Sequence, residues 1–168
     1  MRHKVFKGEL MNLVSFRPEM QGALEAFLQI MQESRGYKFD RSKLPPDIAN
    51  VKTAYKDCGG DLWVVKNDDA IVGSIALRAL DPDAGIGEIK RYFVLPSYQR
   101  RGIGGDLMHH AINVARESGL RRVRLDTMKK SEAALIVFRK FGFYEIPKYN
   151  NNNVAEIFME KLLSAATN

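Results

Sequence analysis

The chain has 168 residues, of which 45% are apolar and 27% charged, and a formal net charge of +6. This is the balance of a globular domain, which excludes a disordered tail or a fibre, and no run approaches the roughly 18 apolar residues of a membrane span. A single cysteine, Cys58, excludes an internal disulfide, and three scattered histidines make no metal-ligand cluster. The first segment, MRHKVFKGELMNL, lacks the apolar core of a signal peptide, so a cytoplasmic protein is expected. ELMNLVSF alternates as a first strand. Pro18 then opens a long helix in which Leu24, Phe27, Leu28 and Met31 recur at helical spacing. RGYKFDRSKLPP is a loop by its glycine and prolines, and DIANVKTAYKDC reads as a shorter helix capped by Asp47 and stopped by Gly59 and Gly60.

DLWVVKNDDAIVGSIALRAL reads as two strands around the turn KNDD, and GIGEIKRYFVL as a third that ends before Pro96, which makes an antiparallel meander. From Ile103 onward Leu107, Ala111 and Val114 fall on one stripe until Gly119 ends the helix, and RRVRLDT alternates Val123, Leu125 and Thr127 with charged residues. Strand, glycine loop, helix and strand form a βαβ unit. Ser131 can cap the next helix, lined by Ala134, Leu135, Phe138 and Phe141, before the closing strands FYEIP and VAEIFMEKL. No repeat or linker interrupts residues 1–168, so a single α/β domain is expected, with one mixed, mainly antiparallel central sheet flanked by helices.

The loop PSYQRRGIGGDLM carries the strongest chemical signal. A strand that stops at Pro96 and enters a helix through glycines delivers several unpaired backbone N–H groups toward one point, where the helix dipole favours an anion. Gly102, Gly104 and Gly105 clear side chains from that approach, and Arg100 and Arg101 add forks that match phosphate oxygens. The two familiar nucleotide patterns fail: no Gly-Lys-Ser/Thr ending is present, and Leu107 stands where the dinucleotide fingerprint needs a glycine. Nucleic acid is not the expected partner, because Arg122 and Arg124 alternate with Val123 and Leu125 as the solvent face of a strand would.

The spacing Gln99-Arg100-Arg101-Gly102-Ile103-Gly104 after FVLP, and the order of elements around it, resemble the GNAT superfamily of acetyl-CoA-dependent N-acetyltransferases. The resemblance runs from about Leu10 to Leu163 and is strongest between Glu88 and Phe143. It implies an enzyme that transfers acetyl from acetyl-CoA directly to the amine of a small molecule, peptide or protein, without a metal or a membrane. A homodimer is a common assembly in the family. Backbone groups of Phe93, Val94 and Leu95 are expected to pair with the pantetheine arm as an added strand, and N–H groups from Arg100 or Arg101 through Gly102, Ile103, Gly104, Gly105 and Asp106 to hold the pyrophosphate, with Gln99 heading the motif. Ser131 falls where relatives carry a cofactor-contacting asparagine. Phe138 falls where many carry the tyrosine that protonates the departing thiolate, and phenylalanine has no proton to give. Tyr144 or Tyr149 could substitute, Glu88 is the expected general base, and Asp126 is a second choice. The acceptor site is expected from the first two helices and their loop, Gly36–Pro46, with the Leu80–Gly87 turn and the Asn150–Asn153 segment on its rim. Phe138 motivates an alternative, a CoA-binding module of the same fold without transferase activity.

Overall fold

The computed structural model describes residues 2–6 and 9–164, with side chains from residue 11 onward. Eight strands form one sheet: β1 (Arg2–Phe6), β2 (Glu9–Ser15), β3 (Asp61–Asn67), β4 (Ala70–Asp81), β5 (Ile86–Val94), β6 (Arg122–Thr127), β7 (Tyr144–Ile146) and β8 (Ile157–Leu162), in the order β1-β2-β3-β4-β5-β6-β8-β7. The expected meander is present as β3 to β5, the expected first strand is β2, pairing antiparallel with β3, and β1 is an addition, pairing antiparallel with β2 at the sheet edge. Among the described strands only β5 and β6 run parallel, joined through the helix α3 (Ile103–Glu117).

The sheet is covered on both faces, which is why β4 is buried without alternation from Ile71 to Leu77. Neighbouring residues of a strand point to opposite faces. Tyr92 meets Phe138 of α4 (Glu132–Lys140) at a ring separation of 5.2 Å, whereas Phe93 lies under the guanidinium of Arg35, just past α1 (Gln21–Glu33), at 4.7 Å. Helices α3 and α4 therefore share one face, with His109 stacked edge-on against Phe141 at 4.6 Å, and the end of α1 occupies the other. Leu24, Phe27, Leu28 and Met31 of α1 are buried as their spacing predicts, and so are Ile103, Leu107 and Ala111 of α3.

The second expected helix is broken. Pro46–Ala49 make one turn, α2, and Lys52–Lys56 a π-helical turn, separated by Asn50 at φ −141°. Asp47 does not cap it: its carboxylate faces inward, where it accepts both arms of the Arg91 fork at 2.6 and 2.8 Å and the Tyr55 hydroxyl. A half-buried bidentate ion pair competes better for a carboxylate than a helix N-terminus does. No helix among the described residues is long and apolar enough to cross a membrane.

Candidate active site

Strands β5 and β6 pair only over Ile86–Glu88 and Arg122–Arg124. Beyond that point β6 follows β8, while β5 keeps β4 as its sole strand neighbour, so the two strands splay and the edge of β5 from Ile89 onward is open. A bulge accentuates the departure: Lys90 to Phe93 span only Ala76 to Ser74 on β4, and Arg91 takes a left-handed φ of 52°. The buried Ser74 hydroxyl donates to the Arg91 carbonyl at 2.6 Å and pins this geometry.

A cavity of about 610 Å³ runs from the splay along β5 to the start of α3, within the range of small-ligand sites. Its cations, Arg35, Arg100, Lys130 and Lys140, face a single carboxylate, Glu132. Gly102 caps α3 at φ 91°, and the first bond into the helix is from the Asp106 N–H to the Gly102 carbonyl at 3.1 Å. The N–H groups of Ile103, Gly104 and Gly105 precede it and have no carbonyl to reach within the helix. A Cβ at Gly105 would meet nothing within 4 Å, whereas one at Gly104 would overlap the Tyr92 hydroxyl. The two glycines thus do different work: Gly105 leaves open the approach to the helix end, and Gly104 makes room for a tyrosine.

Of the residues expected at the cofactor, Phe93, Val94, Gln99, Arg100, Gly102, Gly104, Gly105 and Ser131 line this cavity. The Gln99 amide also donates to the Val94 carbonyl at 3.2 Å, tying the loop to the strand end. Five others do not line it, Phe138 among them, which lines a smaller cavity. Leu95 is in the core, with its N–H given to Val72 and its carbonyl to Tyr98. Arg101 lies over the Tyr98 ring at 4.7 Å and donates to the Ser97 carbonyl. Ile103 is a core side chain that can offer only its backbone, and the Asp106 N–H is spent inside the helix. Ser131 begins α4 yet makes no side-chain capping bond, contrary to its expectation as a helix cap.

A second, smaller cavity of about 270 Å³ fills the wedge between the splayed strands, bounded by Ile89 to Phe93 on one side and Leu125 to Met128 on the other. Phe138 lines it, as do Ser131, Arg35, Asp126 and Asn152. Asp126 is the carboxylate of this cavity: its side chain is 10% exposed and accepts from Asn150 at 2.6 Å and Asn152 at 3.0 Å.

Glu88 lies behind this wall and lines neither cavity. It is 1% exposed, Oε2 accepts Nε and NH2 of Arg78 at 2.9 and 2.6 Å, and Oε1 accepts the Tyr149 hydroxyl at 3.0 Å and Asn150 at 3.2 Å. Of the two cations that follow it on β5, Lys90 lies 3.8 Å away and Arg91 is taken by Asp47. Tyr149 is held there as a donor, its pKa pushed up by burial and by the charges of Glu88 and Asp126. Tyr144 is not brought to either cavity: it is 44% exposed on β7, and its hydroxyl donates to Glu160 at 2.7 Å, a bond that raises its pKa. The Leu80–Gly87 turn lies at the closed end of β5, where the Gly85 carbonyl accepts the N–H groups of Arg121 and Arg122.

Tyr92 lines both cavities, and sequence reasoning missed it. Burial pushes its pKa well above the ordinary tyrosine value, and its hydroxyl makes no hydrogen bond among the described residues. Alternation along β5 would have put it on the α3/α4 face, opposite Phe93. Arg35 and Lys130 left no signal in their local sequence.

Comparison with known proteins agrees with this architecture. The family description "Acetyltransferase (GNAT) family" matches residues 24–143. IAA acetyltransferase of Azospirillum brasilense is 31% identical over 102 residues, covering 60% of this chain and 66% of that protein. N-acetyltransferase 8F1 of Rattus norvegicus is 28% identical over 103 residues, covering 60% of this chain and 47% of its own. The chain spans about half the length of the mammalian relatives it matches. A crystal structure of an acetyltransferase of the GNAT family from Staphylococcus aureus Mu50 superposes with a TM-score of 0.82 at 26% identity, covering 92% of this chain and 99% of that one. A Salmonella typhimurium structure described with its cofactor acetyl-CoA superposes at 0.68 and 17% identity, covering 92% and 94%. With the family pattern spanning the splayed strands, the glycine loop and α4, the chain belongs to the GNAT acetyltransferase family.

Proposed function

We propose that this protein transfers the acetyl group of acetyl-CoA directly to an amine, with the cofactor in the larger cavity and the acceptor in the wedge. The observation that carries this reading is the continuity of one surface: the open edge of β5, the unbonded N–H groups at the start of α3, and Arg100, Lys130 and Lys140 against the one carboxylate Glu132. An extended, amide-bearing arm that ends in phosphates fits each part. Phe93 and Val94 would pair with the arm, the Ile103 to Gly105 backbone would hold the pyrophosphate, and Arg100, Lys130 and Lys140 would neutralise phosphate charge. A structural relative described with acetyl-CoA supports the choice of cofactor.

Acetyl-CoA supplies an acyl carbon already activated as a thioester. The residues of this chain must then handle protons. A lysine-like amine lies about 3.4 units above pH 7, so freeing its lone pair costs on the order of 4.6 kcal/mol. Asp126 opens on the wedge and can take that proton directly or through water, while Glu88, saturated behind the wall, holds Arg78, Tyr149 and Asn150 in place. Phe138 cannot donate, but the Tyr92 hydroxyl can. In the net reaction the N–C bond forms as the C–S bond breaks; of the two protons that nitrogen gives up, one leaves through Asp126, and the other, released as the tetrahedral adduct collapses, balances the proton that the thiolate takes from Tyr92 or water. Acetyl-CoA-dependent thiol release over a panel of amines, with mass spectrometry of the products, tests the reading. Turnover with any amine supports it, and tight cofactor binding without turnover across the panel would favour the binding-module alternative.

A further inference from the structure

The charges around the wedge are unevenly paired. Three cations, Arg35, Lys90 and Arg91, line it, and a fourth, Arg78, stands with Glu88 behind its wall. Arg78 is bound by Glu88, Arg91 is forked on Asp47, and Lys90 sits 3.8 Å from Glu88 and 3.9 Å from Asp126. The last, Arg35, lies over the Phe93 ring at 4.7 Å and has no carboxylate partner among the described residues. Three carboxylates thus answer four cations, and the surplus positive charge is at Arg35. That guanidinium lines the same 270 Å³ cavity as Asp126, so one small space presents a fork for an anion and a carboxylate for an amine. Ile89, Phe93, Leu125 and Val154 give the same cavity an apolar part beside its polar groups.

We infer that the acceptor is a small zwitterion, an amino acid with an apolar side chain, whose carboxylate pairs with Arg35 while its amine lies at Asp126. The inference rests on the acetyltransferase reading above and narrows it to a substrate class. An amino acid brings Arg35 the carboxylate that the described residues do not supply, whereas a plain amine would leave that guanidinium without an anionic partner. The volume also suits a single residue better than a folded protein segment.

The test compares leucine, methionine and phenylalanine with their carboxamides as acceptors for the wild-type protein and for Arg35→Gln. The acids are expected to exceed the amides at least tenfold in kcat/KM. In Arg35→Gln the acids should fall to the level of the amides, with the KM for acetyl-CoA unchanged. Equal rates for acids and amides in the wild type would overturn the inference. So would an Arg35→Gln variant that keeps the preference but binds acetyl-CoA more weakly, because Arg35 would then serve the cofactor. If none of these compounds is acetylated while other amines are, the substrate class is wrong and the transferase reading stands. If acetyl-CoA itself does not bind, as measured by calorimetry, the proposed function fails, and this inference with it.

Discussion

Glu88→Gln separates a base from a buried strut. The substitution keeps the shape and removes one charge. The new amide oxygen can take the place of Oε2 and keep the Arg78 fork, but its NH2 then faces the Tyr149 hydroxyl and the Asn150 amide where a carboxylate oxygen had accepted both. Tyr149 can rotate its hydroxyl and accept; Asn150 cannot, because its NH2 is fixed by Asp126 at 2.6 Å. One buried donor pair is left unsatisfied, at roughly 1 to 3 kcal/mol, and exchanging charge-assisted for neutral bonds to Arg78 costs about 1 more. The second contribution is reduced because the Arg78 side chain is 33% exposed. A total of roughly 2 to 4 kcal/mol corresponds to a fall of about 5 to 15 °C in Tm for a domain of this size. Scanning calorimetry should show that loss, while kcat in the thiol-release assay falls less than about tenfold and keeps its pH profile. A variant that melts with the wild type yet loses a hundredfold or more in kcat, with its pH limb displaced to alkaline values, would refute the argument and return Glu88 to the role of base.

Gly105→Ala should stabilise the fold by up to about 1 kcal/mol, because the methyl meets open space in a helical turn, and should weaken acetyl-CoA about tenfold by calorimetry. The same change at Gly104 is less informative, since displacement of Tyr92 would confound it. Tyr92→Phe should lower kcat by about a hundredfold with Tm unchanged, as the hydroxyl makes no bond in the fold; an unaltered kcat would remove Tyr92 from proton transfer. Acid should unfold the protein partly through Asp47. Burial alone would raise its pKa, but the fork and charge of Arg91 and the Tyr55 hydroxyl bring it below the usual carboxylate range. A depressed folded-state pKa contributes stability above the unfolded value of about 3.9 and loses it as pH falls through the folded value. Asp47→Asn should therefore cost about 2 kcal/mol at pH 7 and narrow the difference in Tm between pH 7 and pH 3.

Local pattern made the strands and long helices legible, because β2 to β6, α1, α3 and α4 each carry their own period and their own stop, as Gly119 and Pro96 do. The glycine loop was legible for a similar reason: anion binding by a helix N-terminus is a property of one contiguous segment. Asp47 was misread because a side chain that satisfies a local rule can be drawn away by a partner 44 residues distant. Glu88 was recognised as important but given a catalytic task, since nothing in EIKRYFV indicates that Arg78, Tyr149 and Asn150 converge on it. Arg35 left no trace at all. Its meaning is an absence of pairing, and that exists only once the other charges have found their partners.

The position of the site follows from one connection. An antiparallel neighbour of β5 could have arrived by a short turn and paired along the whole strand, leaving no edge. A parallel neighbour requires a crossover, and here α3 supplies it. The crossover begins where β5 ends, so the start of α3 with its unbonded N–H groups lies next to the strand terminus. It also returns the chain at the opposite end of the sheet, where β6 pairs with β5 for three residues before following β8 away. The anion site and the open edge are thus two consequences of a single topological step, and the bulge at Arg91 orients the wedge between them. Substitutions that closed the splay, by extending the β5–β6 ladder past Glu88, should abolish cofactor binding even with every residue of the glycine loop unchanged.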